Sequence, residues 1–322
     1  MKVKPIQILS LLLICVFLAC ENENTLEKEI SKIEVNFTVE RFDEVLSKTN
    51  EQDLIKVKEV FPFLFPERIP DSVWINTINS DLQRQMFAEG KNLFKDFKIE
   101  KKSIENLFKR LKYYDKMFEV PRVITVADGV DYKNKLVLQA DLLIINLMNY
   151  LGENHEFYQN TPVYFAERMK PSQIVPEITE KYANRYAYQS QRKTFLDEMI
   201  YHGKLLYFKD IMIPEFSDAD KIGYTKEDVL WAEKNESQIW SHFVENEMLF
   251  STDTKLFTRF TVPAPFSKFY LDIDNESPGR LGQYIGWQIV RAYTQRTDVD
   301  IMTLMRTDSD QIFKESKYKP KR

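Results

Sequence analysis

Glycine is scarce in this chain, 8 of 322 residues, which argues against an extended glycine-rich binding fold. Histidine is scarcer, with 3. A serine-type triad would have to be assembled over long range, and neither His155 nor His242 has a Ser, Cys or Asp at a spacing that suggests one. Cysteine occurs twice, at Cys15 and Cys20. Everything after residue 20 therefore has neither a free thiol nor a disulfide, and stability must come from packing. No basic tract or arginine stripe stands out in a chain of net charge −4, so nucleic acid is not the expected partner. Repeats and low-complexity linkers are absent from residues 33–310. The apolar run from Ile6 to Leu18, broken by Gln7 and Ser10, is too short for a comfortable membrane-spanning helix.

What is there suits a globular protein. Apolar residues make up 43% and aromatics 13%, and the length allows one large or two modest domains. The N-terminus reads as a secretory signal: Lys2 and Lys4, a short apolar core, then Ala19-Cys20. A small residue before cysteine at the cut resembles the bacterial lipobox, although Phe17 stands where leucine is usual. The expectation is a lipoprotein signal peptide over 1–19 and lipid on Cys20. A tether over 20–32, a single domain over 33–313 and a frayed polar tail over 314–322 should follow. Covalent lipid anchors a domain without a transmembrane helix.

Ile33-Glu-Val-Asn-Phe-Thr-Val alternates like a half-buried strand. Phe61-Pro-Phe-Leu-Phe-Pro is an aromatic, proline-broken loop. Asp71 is placed to cap a helix, and residues 79–97 and 101–117 show helical spacing. Residues 121–127, 135–140 and 141–147 read as strands. Helices are expected over 162–186, 190–210, 225–250 and 277–296. The fold class is α+β, predominantly helical with a small β-sheet and a helical N-terminal portion.

Phe195 to Phe208 nearly spells a zinc-peptidase helix. That motif puts two histidines at i and i+4 on one face, with a glutamate between them. Here Asp197 and Tyr201 occupy those positions, Glu198 occupies the base position, and His202 comes one residue late. Neutral tyrosine rarely binds zinc, and Glu198 with His202 lacks a separate base, so spacing does not specify a working three-ligand site. Phe195, Met199 and Leu206 already give an ordinary buried stripe. Ser277-Pro278 looks like a helix start. Beyond it, Gly279, Gly282 and Gly286 share a face, either for tight helix packing or for a cleft lined by Tyr284 and Trp287. Asp272, Asp274 and Glu276 alternate like calcium ligands but fail the EF-hand pattern at Ser277 and Gln283, leaving a solvated strand end as the first reading and a looser calcium site as the alternative. Trp231, Trp240 and Phe243 form a core-like stripe. The loops Phe61 to Pro66 and Pro263-Ala-Pro-Phe-Ser-Lys-Phe serve equally as contact surface or packing.

Several segments resemble the GldB-type gliding motility lipoproteins of the Bacteroidetes. They are Met199-Ile-Tyr-His-Gly-Lys-Leu-Leu-Tyr, Ile222-Gly-Tyr-Thr, Asn235-Glu-Ser-Gln-Ile-Trp, Pro263-Ala-Pro-Phe-Ser-Lys-Phe and Ser277-Pro-Gly-Arg-Leu-Gly-Gln-Tyr-Ile-Gly-Trp-Gln-Ile-Val. The similarity runs over the whole chain after the signal. It implies a cell-envelope component of the gliding machinery, lipid-anchored on the periplasmic or outer side. Its partners would be other envelope proteins of that machinery, and it would need no cofactor. That family is distantly similar to predicted zinc metallopeptidases. The likeness implies a zincin-like core in which Asp197 and Tyr201 replace the histidines, Glu198 stands at the base position and Glu236 at the third ligand. A non-catalytic contact protein is the first reading. The alternatives are a zinc-dependent peptidase-like hydrolase with an unusual metal site and an envelope lipoprotein that binds a peptide or glycan. In the last case the cleft or contact surface would involve His202, Gly282, Gly286 and Trp287.

Overall fold

Arg122–Val126 (β2) is a β-branched run, and its three middle residues are buried, as expected of a strand covered on both faces. A computed structural model describes residues 25–139, 141–190, 192–272 and 274–321. The signal and Cys20 lie outside the described residues. In the described part β2 lies inside a four-stranded sheet of order β1-β2-β4-β3, where β1 is Val39–Arg41, β3 is Leu136–Gln139 and β4 is Leu142–Asn146. β1 and β4 run parallel to β2, with Val39 beside Val123 and Ile124 beside Ile144. β3 turns back antiparallel on β4, with Leu138 beside Leu143.

Alternation of side chains sends the two faces of this sheet to different cores. Ile124 joins Phe42, Leu46, Leu54, Phe61, Phe65 and Ile78 under the N-terminal helices. Val123, Leu143 and Ile145 join the main core, beneath the helices Lys98–Tyr114, Ile174–Tyr186 and Phe195–Met212. The result is a mainly helical α+β fold with helices on both faces of a small mixed sheet. Among the described residues no helix is long and apolar enough to cross a membrane.

Phe195–Met212, the central helix, has buried residues around most of its circumference, so its neighbours must come close. The closest is Leu281–Thr294, the glycine helix. A Cβ built on Gly286 would lie 1.8 Å from the Met199 carbonyl oxygen, and one on Gly203 would lie 2.3 Å from that of Gly286. Only glycine permits this backbone approach. At the far end of the crossing Asp210 accepts from Trp287 Nε1 and from the Arg291 guanidinium, each at 2.8 Å.

Several boundaries differ from the sequence reading. The expected strand over residues 33–39 shrinks to the end that finds a partner, Val39–Arg41. Asp71 is the first helical residue rather than the cap, which is Pro70. The reading of 162–186 as one helix is corrected to a short turn, Val163–Ala166, followed by Ile174–Tyr186. Residues 225–250 divide at Asn235 into Lys226–Lys234 and Glu236–Glu245. The glycine helix starts at Leu281, not Ser277, because Ser277 is held in a loop by bonds to the Asp274 and Ser267 carbonyls. Asp274, expected at a strand end, accepts three backbone N–H bonds and folds the turn at 269–274. Residues 25–31, expected within the tether, are helical. Ile30 is buried there, and Glu27 and Glu29 are bonded to Arg110 and Tyr113. The tail is not frayed: Ser309–Ser316 is a helix, and the residues after it dock on the domain.

Candidate functional site

Asp197, Tyr201 and Glu236 are each held by neighbouring groups. Thr194 caps the central helix. Its hydroxyl accepts from the Asp197 N–H at 3.1 Å, and the Asp197 carboxylate accepts from Thr194 N–H at 2.9 Å and Lys193 N–H at 3.1 Å, a reciprocal capping box. The hydroxyl of Ser309 donates to the other carboxylate oxygen. Burial pushes the Asp197 carboxyl up, but Ser309 and the capping donors outweigh it and hold it below its ordinary value. Tyr201 donates its hydroxyl to Asn184 at 3.0 Å, and the Arg192 guanidinium lies 3.6 Å above its ring. Glu236 is 1% exposed. It accepts from Tyr284 at 3.1 Å and from Tyr318 and the Lys321 N–H at 2.9 Å each.

A metal ligand needs a free lone pair aimed at a shared point. The residues at these positions do not fit a zinc ion: the Asp197 and Glu236 carboxylates accept bonds on both oxygens, and Tyr201 presents a phenol whose hydroxyl donates to Asn184. Among the described residues no group of three or more His, Cys, Asp or Glu is placed to hold a metal. Glu198 and His202 do meet, one helical turn apart, at 3.2 Å. Arg192 also forks onto Glu198, at 2.6 Å. Burial raises the Glu198 carboxyl, but His202 and Arg192 bring it down to about 2. A carboxylate held so acidic is a weak base.

His202 and Glu198 open onto a cleft of about 440 Å³ whose walls include Glu180, Lys209, Arg280 and Gln283. A second cleft, about 420 Å³, shares Arg168 and Arg280 with it and is rimmed by Val163, Glu167, Asp228 and Pro263. Of the residues expected at the zinc or cleft positions, Glu198 and His202 line the first cleft, together with Pro263 of the expected contact loop. Gly282 and Gly286 lie in helix contacts, against Phe260 and Phe195 and against Met199 respectively. Trp287 is buried in the core.

The charges around the two clefts are unevenly matched. Lys209 bonds to Glu180 at 2.8 Å. Desolvation raises the Glu180 carboxyl, yet Lys209, Arg168 and Arg280 hold it below the carboxylate range. Lys135 takes one oxygen of Glu177, and Tyr150 donates to the other at 2.7 Å. Arg168 is left with Glu177 at 3.6 Å, and its Nε is buried without a hydrogen-bond partner. Arg280 donates to the carbonyls of Ile222 at 2.6 Å and Gly223 at 2.8 Å. No carboxylate among the described residues lies within 4.0 Å of it. Burial, with Arg168 nearby, pushes the Arg280 guanidinium down to about 10. Its backbone is left-handed, φ 61°, which is uncommon for a side chain of this size. Sequence reading missed both arginines. Arg280 carries no usable signal, because the helix start expected at Ser277 puts it inside the helix rather than before the true start at Leu281. Arg168 carries none.

Fold and site together define a mainly helical α+β protein whose central helix is built into the core, with open clefts beside that helix. The family model described as gliding motility protein GldB matches residues 23–320, and the chain belongs to that family. Membership makes it a gliding-motility lipoprotein associated with the cell envelope. Searches of curated proteins and of solved structures gave no match.

Proposed function

We propose that this chain is a lipid-anchored, non-catalytic component of the gliding machinery that works by contact with other envelope proteins of that machinery. In this reading the central helix is a relict zincin helix. The observation that carries it is the fate of the ligand positions: Asp197 caps a helix and holds Ser309, Tyr201 is fixed by Asn184 and Arg192, and Glu236 closes the C-terminal segment. Each has become a structural part. The contact surface we favour is the loop after Phe260, where Val262 is exposed at the first cleft and Tyr270 and Leu271 are exposed further along the loop. Two rigid prolines, Pro263 and Pro265, hold it at low entropic cost.

The test is Glu198→Gln in the living cell. It removes the residue at the base position while keeping its shape. Gliding should persist, and metal analysis of the purified lipoprotein should find zinc far below stoichiometric. Lost gliding in a normally folded Glu198→Gln protein, with tight zinc released by Asp197→Ala, would establish the hydrolase alternative instead.

A further inference from the structure

Arg168 and Arg280 both lean on Gly223. A Cβ added to Gly223 would lie 2.5 Å from Arg168 Nε, and Arg280 donates to the Gly223 carbonyl at 2.8 Å. The two guanidiniums thus meet at the wall shared by both clefts. Burying like charges side by side is costly without a counter-ion. Here the nearby carboxylates are shared with other groups: Glu177, 3.6 Å from Arg168, is bonded more closely by Lys135 and Tyr150, Glu180 by Lys209, and Asp228 by the Thr225 N–H at 3.0 Å. Arg168 keeps a buried donor unused. A left-handed backbone at Arg280 holds this arrangement in place, as strained residues often do at binding sites.

We propose that Arg168 and Arg280 form a receptor for a carboxylate presented by a polypeptide partner. A planar guanidinium pair matches a planar carboxylate through parallel N–H donors. Two features favour a carboxylate on a peptide over a phosphate on a lipid. The acidic side chains Glu167, Asp228 and Glu180 line the same clefts, and they would repel a dianion more than a single negative charge. The rim is apolar, with Val163 71% and Val262 46% exposed beside Pro263 and Pro265, so residues flanking the carboxylate find contacts there. The carboxylate can come from a chain terminus or from an Asp or Glu side chain. This inference deepens the contact reading and rests on it.

The experiment uses the detergent-solubilised lipoprotein and three probes. They are acetyl-Ala-Val-Leu with a free carboxylate, acetyl-Ala-Glu-Leu-amide, and acetyl-Ala-Val-Leu-amide as the neutral control. Binding to the native state raises the melting temperature as ligand exceeds its dissociation constant. The free acid, the internal glutamate peptide or both should raise it and slow phenylglyoxal modification of Arg168 by about tenfold at saturation, while the neutral amide does neither. Whichever acid is stronger identifies the source of the carboxylate. The effect should vanish in Arg168→Gln. Protection mapped on the wild type stands whether or not that variant folds. Equal effects of acid and neutral amide, no effect of any probe, or stronger protection by inorganic phosphate or phosphatidylglycerol vesicles would overturn the assignment. Cleavage of a bound probe would leave the carboxylate site standing and sink the non-catalytic function; absence of binding with intact gliding would do the reverse.

Discussion

Lys204 sits fully buried on the central helix, with its ammonium donating to the carbonyls of Tyr188 at 3.1 Å, Met305 at 3.4 Å and Thr307 at 3.0 Å. Burial, opposed by Asp308 and helped by Arg192, lowers its pKa to about 8. The unfolded chain therefore binds this proton more tightly than the folded one between about pH 8 and 10. Stability should rise as pH increases through that window, by at most about 1.4 kcal/mol per unit. Urea melts of wild type and Lys204→Met at several pH values give the slope as a difference, which cancels the opposing titration of buried tyrosines. A wild type with no excess slope would show that the ammonium keeps its ordinary proton affinity. Asp197 combines a local and a distant role. Asp197→Ala removes a capping box and a partner for Ser309, and should cost roughly 1–3 kcal/mol in the same melts. The capping box follows from the local Thr194-x-x-Asp197 spacing, but the carbonyls around Lys204 and the Ser309 bond are not legible in the sequence, because residues 305–309 reach the helix only through the fold.

Among the helices, the crossing of the central and glycine helices is the tightest point of the fold. The sequence placed Gly282 and Gly286 on one face and left open what lies against it. Backbone against backbone is what the structure puts there, and a backbone cannot step aside as a side chain can. Gly286→Val should therefore cost at least about 3 kcal/mol, read as a lowered melting temperature, and a variant that melts like wild type would mean the two helices can part. Strand signals were reliable where both neighbours exist, as in β2 and β4, whose apolar runs match the sequence expectation. They failed over residues 33–38, since alternation alone does not make a strand without a ladder to join. The expected helix over 225–250 failed at Asn235, whose side chain bonds to the Trp231 carbonyl at 2.8 Å and competes with the helical pattern.

At the scale of the whole molecule, few residues separate Cys20 from the folded domain. With residues 25–31 already helical and docked, the chain from Cys20 to Thr25 can span at most about 18 Å. A lipid on Cys20 would then hold the folded body near its membrane. Cys20→Ser should release the protein from the membrane fraction or block its maturation, and correct processing with retained membrane binding would place the anchor elsewhere.

The sequence by itself determined the mainly helical α+β class and the family, because these rest on local periodicity and on family segments spread along the chain. It also placed Asp197 and Tyr201 at the i and i+4 positions where a zinc-peptidase helix carries histidines. Only the tertiary structure decided what those residues bond to. Asp197 bonds to Ser309, 112 residues away, and Glu236 to Tyr318, 82 residues away. Arg280 reaches carbonyls 58 and 57 residues back. The partner of a polar side chain is set by which loops and helix ends the packing of apolar faces brings together. No spacing along the chain encodes that, so the Asp197–Ser309 bond, the closed glutamate and the arginine pair become visible only in the folded molecule.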